Sequence, residues 1–331
     1  MSKYKFIILL IIICCSFSTV SHAAFEDLGV GARVLGMGNA FAGLADNVAT
    51  IYYNPAGLAQ LSGTELEFNY AQYYPGLTYN DGIGDGFIAY SQVLGEGLGT
   101  IGAGYLQRYA SDLYRESTIL FSYGKKFKAN HPFCVGISLK YLLKSYKAEY
   151  DMGNPAQLDP VFSNGTSAYG FSLDIGYLRQ LNEFSMLGIS FTDVNQPDIS
   201  LSSLSKDMVP FGVKIGYSYK FGAKKAYAVS ADAGYRDEDY KFSIGLENWI
   251  TFKSGEVELE GYNRSDQIGW RLGTGLGTNN YRNLSGGISY RMGGPDLEFD
   301  YAFIYPLATI KNTWGTHRVS MIMRFGNTKP N

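Results

Sequence analysis

Three histidines occur in the chain, His22, His131 and His317, and they bound the chemistry it can perform. A Ser-His-acid relay holds a histidine between a nucleophile and a carboxylate, and a histidine metal centre gathers several around one ion. His131 stands before Pro132 in a turn-like stretch and His317 opens a terminal alternating run, so both read as interface positions. The run Asn80-Asp81-Gly82-Ile83-Gly84-Asp85 offers the oxygen ligands that calcium prefers, but it lacks the full loop pattern and reads as a turn. Gly95-Glu96-Gly97-Leu98-Gly99 and Gly273-Thr274-Gly275-Leu276-Gly277 share only their glycines with phosphate loops, because neither joins a strand to a helix with the required Lys. The sequence therefore assigns no catalytic residue, no metal ligand and no cofactor.

Charged residues remain at regular places. Lys140, Asp174, Lys214, Asp232, Glu247, Glu258, Arg271 and Asp300 each fall on the small or polar face of an alternating run. They are predicted to pair inside a lumen, stiffening its wall and anchoring what fills it.

The elements that position them follow from that alternation, which runs from about residue 64 to residue 325. Val213, Ile215, Tyr217, Tyr219 and Phe221 share one face, with Gly212, Lys214, Gly216, Ser218 and Lys220 on the other. Val135, Ile137, Leu139, Tyr141 and Leu143 are likewise expected to face lipid, with Ser138, Lys140 and Lys144 inside. Tyr169, Phe171, Leu173, Ile175 and Tyr177 oppose Ser172 and Asp174, and Leu297, Phe299, Tyr301, Phe303 and Tyr305 oppose Glu298 and Asp300. A soluble sandwich shares this period, but long aromatic-rich strands throughout a chain suit a transmembrane antiparallel β-barrel. The 27 Tyr and 20 Phe would furnish its aromatic girdles.

About fifteen strand candidates begin near residues 64, 86, 98, 114, 133, 166, 184, 209, 225, 240, 256, 268, 283, 296 and 316. A bacterial single-chain barrel takes an even number, and the weakest candidates lie between 255 and 277, so about 14 strands are expected and 16 is the alternative. Two long connections, 149–165 and 193–207, fall at one end, where external loops belong. Inward glycines such as Gly170, Gly176, Gly212 and Gly216 leave room for a plug. The last strand ends in Phe325, like an insertion signal for the outer membrane, with six residues following it.

At the start, Lys3 and Lys5 precede an apolar run over 6–15, and Ser21-His22-Ala23 supplies small residues for cleavage after Ala23. This predicts a secretory leader over 1–23, an N-terminal segment over 24–62, a barrel over 63–326 and a tail over 327–331. Cys14 and Cys15 leave with the leader, so Cys134 remains alone and no internal disulfide forms. The net charge of -2 falls to about -4 once Lys3 and Lys5 are gone, and scattered basic residues give no nucleic-acid footprint. In 25–62, Val34, Met37, Phe41, Leu44, Ala45 and Val48 follow helix-like spacing, while frequent glycines confine helices to short turns packed on something else.

Residues 31–61, GARVLGMGNAFAGLADNVATIYYNPAGLAQL, resemble the opening of the FadL-type outer-membrane transport superfamily, chiefly through Asn54, Pro55, Ala56, Gly57 and Leu58. Together with THRVSMIMRFG at 316–326 the pattern is closer to the PorV/PorQ branch. The resemblance implies a fourteen-stranded barrel in a Gram-negative outer membrane, with the N-terminal segment folded into the lumen as a hatch. Asn54 would hydrogen-bond at a turn fixed by Pro55, Gly57 would take a positive φ, and the motif would serve either structure or gating. The function so implied is handling of hydrophobic or amphipathic cargo, with Phe41 and Leu44 as candidate ligand contacts. The alternative is an accessory role in a type IX-like secretion pathway, where external loops bind client proteins. Expected partners are outer-membrane lipid and a hydrophobic small molecule, or secretion-system and client proteins.

Overall fold

The structure, a computed structural model, describes residues 24–77, 82–95, 97–129, 132–147, 162, 164–252, 265–293, 296–308, 310 and 313–326. The expected leader, its cleavage site, His131, Asn80, Asp81, Glu258 and the tail 327–331 lie outside the described residues. So does most of the connection 149–165.

Among the described residues fourteen strands close into one antiparallel barrel. They are β1 (Thr64–Tyr73), β2 (Ile83–Val93), β3 (Thr100–Ala110), β4 (Tyr114–Phe127), β5 (Phe133–Tyr146), β6 (Ser167–Gln180) and β7 (Ser185–Thr192). The second half comprises β8 (Gly212–Phe221), β9 (Tyr227–Arg236), β10 (Asp239–Phe252), β11 (Asp266–Gly277), β12 (Arg282–Met292), β13 (Leu297–Pro306) and β14 (Thr316–Phe325). Every strand pairs with its sequence neighbours, and β1 closes on β14 with Thr64 opposite Phe325 and Gln72 opposite His317. Closure removes every free edge, which the hydrocarbon of a membrane requires. The strand candidate near Glu256 lies outside the described residues; β10 and β11 pair directly, with Phe252 opposite Asp266, so the barrel closes without it.

The alternation carries through to the wall. Val135, Ile137 and Leu139 are exposed on the outside while Ser138, Lys140 and Lys144 are buried, and Tyr169 and Phe171 are exposed where Ala168 and Ser172 are buried. One seam is unusual. β7 pairs with β6 only along Ile175–Gln180, and beyond it the Asn195 side chain continues the pairing. Its Oδ1 accepts from the Leu173 N–H at 2.9 Å, and its Nδ2 donates to the Phe171 carbonyl at 2.8 Å.

The N-terminal segment lies in the lumen. It contains α1 (Ala32–Gly36), α2 (Thr50–Tyr53) and a 3-10 turn, Pro55–Gln60. Val34, Met37, Phe41, Leu44, Ala45 and Val48 are all buried, as their spacing predicts. The helices stay short because Gly31 and Gly38, at φ 79° and 68°, flank α1 in the left-handed region.

What lets this segment fit is a belt of wall glycines. Gly124, Gly136 and Gly176 stand opposite one another on β4, β5 and β6, as do Gly188 and Gly216 on β7 and β8, and Gly245 and Gly273 on β10 and β11. A Cβ at Gly136 would collide with Pro55 and Ala56, at Gly188 with the Ala42 carbonyl, and at Gly245 with Met37. The wall is thinned to bare backbone where the segment crosses it.

Candidate functional site

The segment is tied to the wall by charge and by backbone bonds. Asp232 Oδ2 accepts from the N–H groups of Phe41 and Ala42, both at 2.8 Å. Glu65 takes the Val48 N–H at 2.8 Å, and Ser218 donates to the Gly43 carbonyl at 2.9 Å. Arg33 reaches Glu247 and Asp46; Asp46 is shared with Lys220, and Glu247 with Arg271. Asp232, Glu247 and Arg271 were expected inside and do anchor the segment. Their partners Arg33 and Asp46 carry no alternation signal, because they come from irregular backbone. Burial alone would push the Asp46 carboxyl up, but Arg33 and Lys220 hold it far below the usual carboxylate range.

The motif residues lie at the base of this arrangement. Asn54 Nδ2 donates to the Ala42 carbonyl at 2.9 Å and to the Tyr177 carbonyl at 3.1 Å, while its Oδ1 accepts from the Ala56 N–H at 3.2 Å. Pro55 opens the 3-10 turn, and Ala56 and Leu58 are buried. Gly57 stays outside the left-handed region expected of it; glycine is needed there because a Cβ would collide with Thr50 Oγ1 and the Ala45 carbonyl. Phe41 packs edge-on against Tyr53 at 5.5 Å and is 0% exposed, with Leu44 at 1%. Both belong to the segment's own core, so ligand contact there requires that core to open. Leu44 also borders a recess at the short-turn end.

Towards the long-loop end the segment floors a cavity of about 100 Å³. Phe25, Asp27, Asn39, Tyr52 and Tyr53 form its base, with Leu106, Leu120 and Leu142 on the wall. Four of its cations face carboxylates: Lys214 lies 3.1 Å from Asp27, Lys140 2.7 Å from Asp174, Arg236 2.7 Å from Asp193, and Lys241 3.0 Å from Glu26, while Arg108 donates to the Glu26 carbonyl and the Tyr52 hydroxyl. Three of the cations also stand over rings: Arg108 over Tyr52, Lys214 over Tyr53 and Lys241 over Tyr281. Burial would raise Asp27, but Lys214, Lys241, Arg236 and the Tyr52 hydroxyl hold it far below the carboxylate range. Asp193 is likewise lowered to about 2, with Lys140 and Arg236 outweighing its burial. The 193–211 connection turns inward over this space, burying Ile199, Leu201 and Val209 with Phe25 and Leu142. Sequence reasoning placed that connection outside, and only its Ile, Leu and Val residues hinted otherwise.

The other candidates are placed apart. Asp85 accepts from Arg318 at 2.8 and 3.0 Å and from the Tyr73 hydroxyl at 2.5 Å, so its carboxylate is committed to an ion pair. His317 meets the Tyr301 hydroxyl at 2.8 Å and the Trp314 carbonyl at 3.0 Å on the exposed side.

A closed antiparallel barrel of fourteen strands is the fold of the FadL-like outer-membrane barrels. The chain is similar to the toluene transporter TbuX of Ralstonia pickettii at 15% identity, TM-score 0.61, over 92% of this chain and 100% of that one. It is similar to the Pseudomonas putida toluene transporter TodX at 14% identity and TM-score 0.61, over 91% and 99% of the two chains. A Pseudomonas aeruginosa FadL homologue matches at 12% identity and TM-score 0.57, over 90% and 99%. No family profile and no curated relative matches the chain. At these identities the likeness establishes the fold.

Proposed function

We propose that this protein is an outer-membrane transporter of amphipathic small molecules whose lumenal segment serves as the hatch. The observation that carries the reading is the cavity above the segment, in which apolar wall residues and tyrosine faces alternate with matched ion pairs. Such a lining suits cargo with both an apolar body and a polar group better than a bare hydrocarbon. The neighbouring folds include toluene transporters, which supports a hydrophobic component. Ligand pockets usually offer at least ~300 Å³, so the cavity of about 100 Å³ must widen for such cargo. The part that would move is the inward connection 193–211, which roofs the cavity, since residues 41–46 are bonded to the wall. The long loops would face outside the cell and the short turns the periplasm, which places the cavity on the capture side. Export by a cleaved leader, and descent from the PorV/PorQ branch, belong to the same proposal.

The secretion-accessory reading has the external loops 149–165 and 193–207 grip a client; of these, 193–207 buries Ile199 and Leu201 in the lumen. Mass spectrometry of gently extracted protein tests both readings. A reproducible bound amphiphile, lost on Ser243→Trp in the cavity wall, is the expected result. A stoichiometric protein partner with no bound small molecule would overturn it in favour of secretion.

A further inference from the structure

The outer face of the wall carries few cations. On the described strands four Lys or Arg residues alternate outward: Arg115 and Arg282 at the long-loop end, and Lys125 and Arg179 at the short-turn end, near the ends of β4 and β6. Register fixes how the latter two face. Lys125 lies opposite Val135, which is exposed on the outside and lies in turn opposite Tyr177, while Phe127, Phe133 and Arg179 form the next row towards the turns. Phe127 stacks on Phe133 at 5.1 Å between ring centres and Phe133 on Tyr177 at 5.8 Å, so three rings fill the ground between the two cations. Inward cations such as Lys140, Arg271 and Arg318 each meet a carboxylate. Lys125 and Arg179 meet none among the described residues, and Glu183 in the next turn pairs with neither. Beyond the rings, towards the middle of the wall, Ile137, Leu139 and Ile175 are exposed on the same face.

We propose that this patch on β4, β5 and β6 holds an anionic glycerophospholipid of the inner leaflet. Its phosphate sits between Lys125 and Arg179 over the Phe133 ring, and its acyl chains lie on Ile137, Leu139 and Ile175. The two cations stand two strands apart, roughly 10 Å, a gap that two long side chains close on a shared phosphate. The guanidinium offers paired N–H donors to two phosphate oxygens, and the ammonium adds a point charge. A basic residue on the lipid face is tolerated near the interface and strongly disfavoured at the midplane, so cations at this level are placed for head groups. Each contributes about fivefold in affinity for an anionic surface. A zwitterionic head brings its own ammonium, for which the patch offers no carboxylate. The short turns face the periplasm, which makes the leaflet the inner one. The patch lies on the outside of the wall, so this proposal does not rest on the transport reading.

Native mass spectrometry of the purified protein, equilibrated in detergent with equal amounts of chain-matched phosphatidylglycerol and phosphatidylcholine, tests it. The first lipid bound should be phosphatidylglycerol, in at least fivefold excess. Lys125→Gln/Arg179→Gln should cut that excess at least threefold. Arg115→Gln/Arg282→Gln removes the same charge from the outer face at the opposite end and should leave it unchanged. None of the four side chains is buried, so both double variants should fold, and heat-modifiable electrophoretic mobility checks each. No preference for phosphatidylglycerol in the parent overturns the proposal, as does an equal loss in the two double variants. A preference for lipopolysaccharide over phosphatidylglycerol that depends on Lys125 and Arg179 would put this rim in the outer leaflet and likewise overturn it.

Discussion

Arg33 and Glu247 form a two-pronged ion pair between the lumenal segment and the wall, Nε to Oε2 and Nη2 to Oε1, both at 2.7 Å. The planar guanidinium matches the carboxylate fork, and neither side chain is open to solvent. Removing one member of a buried pair strands the other, typically at a cost of ~3–5 kcal/mol. Glu247→Ala takes a carboxylate from two arginines at once, leaving Arg33 with Asp46 alone and Arg271 with Asp300. Equilibrium urea unfolding in lipid should show a loss of that order, and Glu247→Gln a smaller one.

The carboxyls of Asp27 and Asp46 give the segment a defined acid sensitivity. Both are held below their ordinary value by neighbouring cations. A group lowered on folding contributes its full stabilisation above its unfolded pKa, about 3.9, and loses it as pH falls towards the folded value. Seating of the segment should therefore be constant from neutral pH to about pH 5 and weaken below pH 4. Trypsin cleavage after Arg33 at neutral pH, following brief acid exposure and rapid neutralisation, reads this out. The Asp27→Asn/Asp46→Asn double variant should be cleaved at neutral pH without acid exposure.

The glycine belt predicts a positional rule. Gly176→Val should be far worse than Gly234→Val, because a Cβ at Gly176 meets Asn54 Oδ1 and Ala56 N whereas at Gly234 the nearest atom is 3.6 Å away. Overpacking of this kind costs ~1–3 kcal/mol. In planar bilayers Gly176→Val should raise the frequency of open events relative to the parent, and Gly234→Val should leave it unchanged.

Phe41→Ala separates core from contact. As a fully buried ring it should cost ~3–5 kcal/mol of stability. Asn54→Ala, which loses two carbonyl partners, should cost ~1–3 kcal/mol through groups left unsatisfied. Thermal unfolding of both variants, beside cargo binding, checks that Phe41 acts on stability before affinity.

Much of the wall could be read from the chain, because two-residue alternation is a local property and a barrel repeats it. Val135 to Leu143 and Tyr169 to Tyr177 face as their pattern requires, and the inward Lys140 and Asp174 do pair. The candidate site was far less legible. Arg33 meets Glu247 across 214 residues of chain, and nothing near either one announces the other. Phe41 and Leu44 showed an apolar face without showing that the segment covers it with its own Tyr53 and Leu58. The inward fold of 193–211 depends on Phe25 and Leu142, which are remote in sequence.

The segment's bonds to both closing strands set an order of assembly. Val48 is held by Glu65 on β1, and Ala32 by Ser320 on β14. These are the first and last strands made, and their pairing is what shuts the cylinder. A cylinder already shut would have to pass a folded insert through a mouth crossed by loops and then seat it against glycines in the middle of its wall. The part synthesised first must therefore act as the form around which the rest is wound, so that zipping the β1–β14 joint and enclosing the insert are a single event.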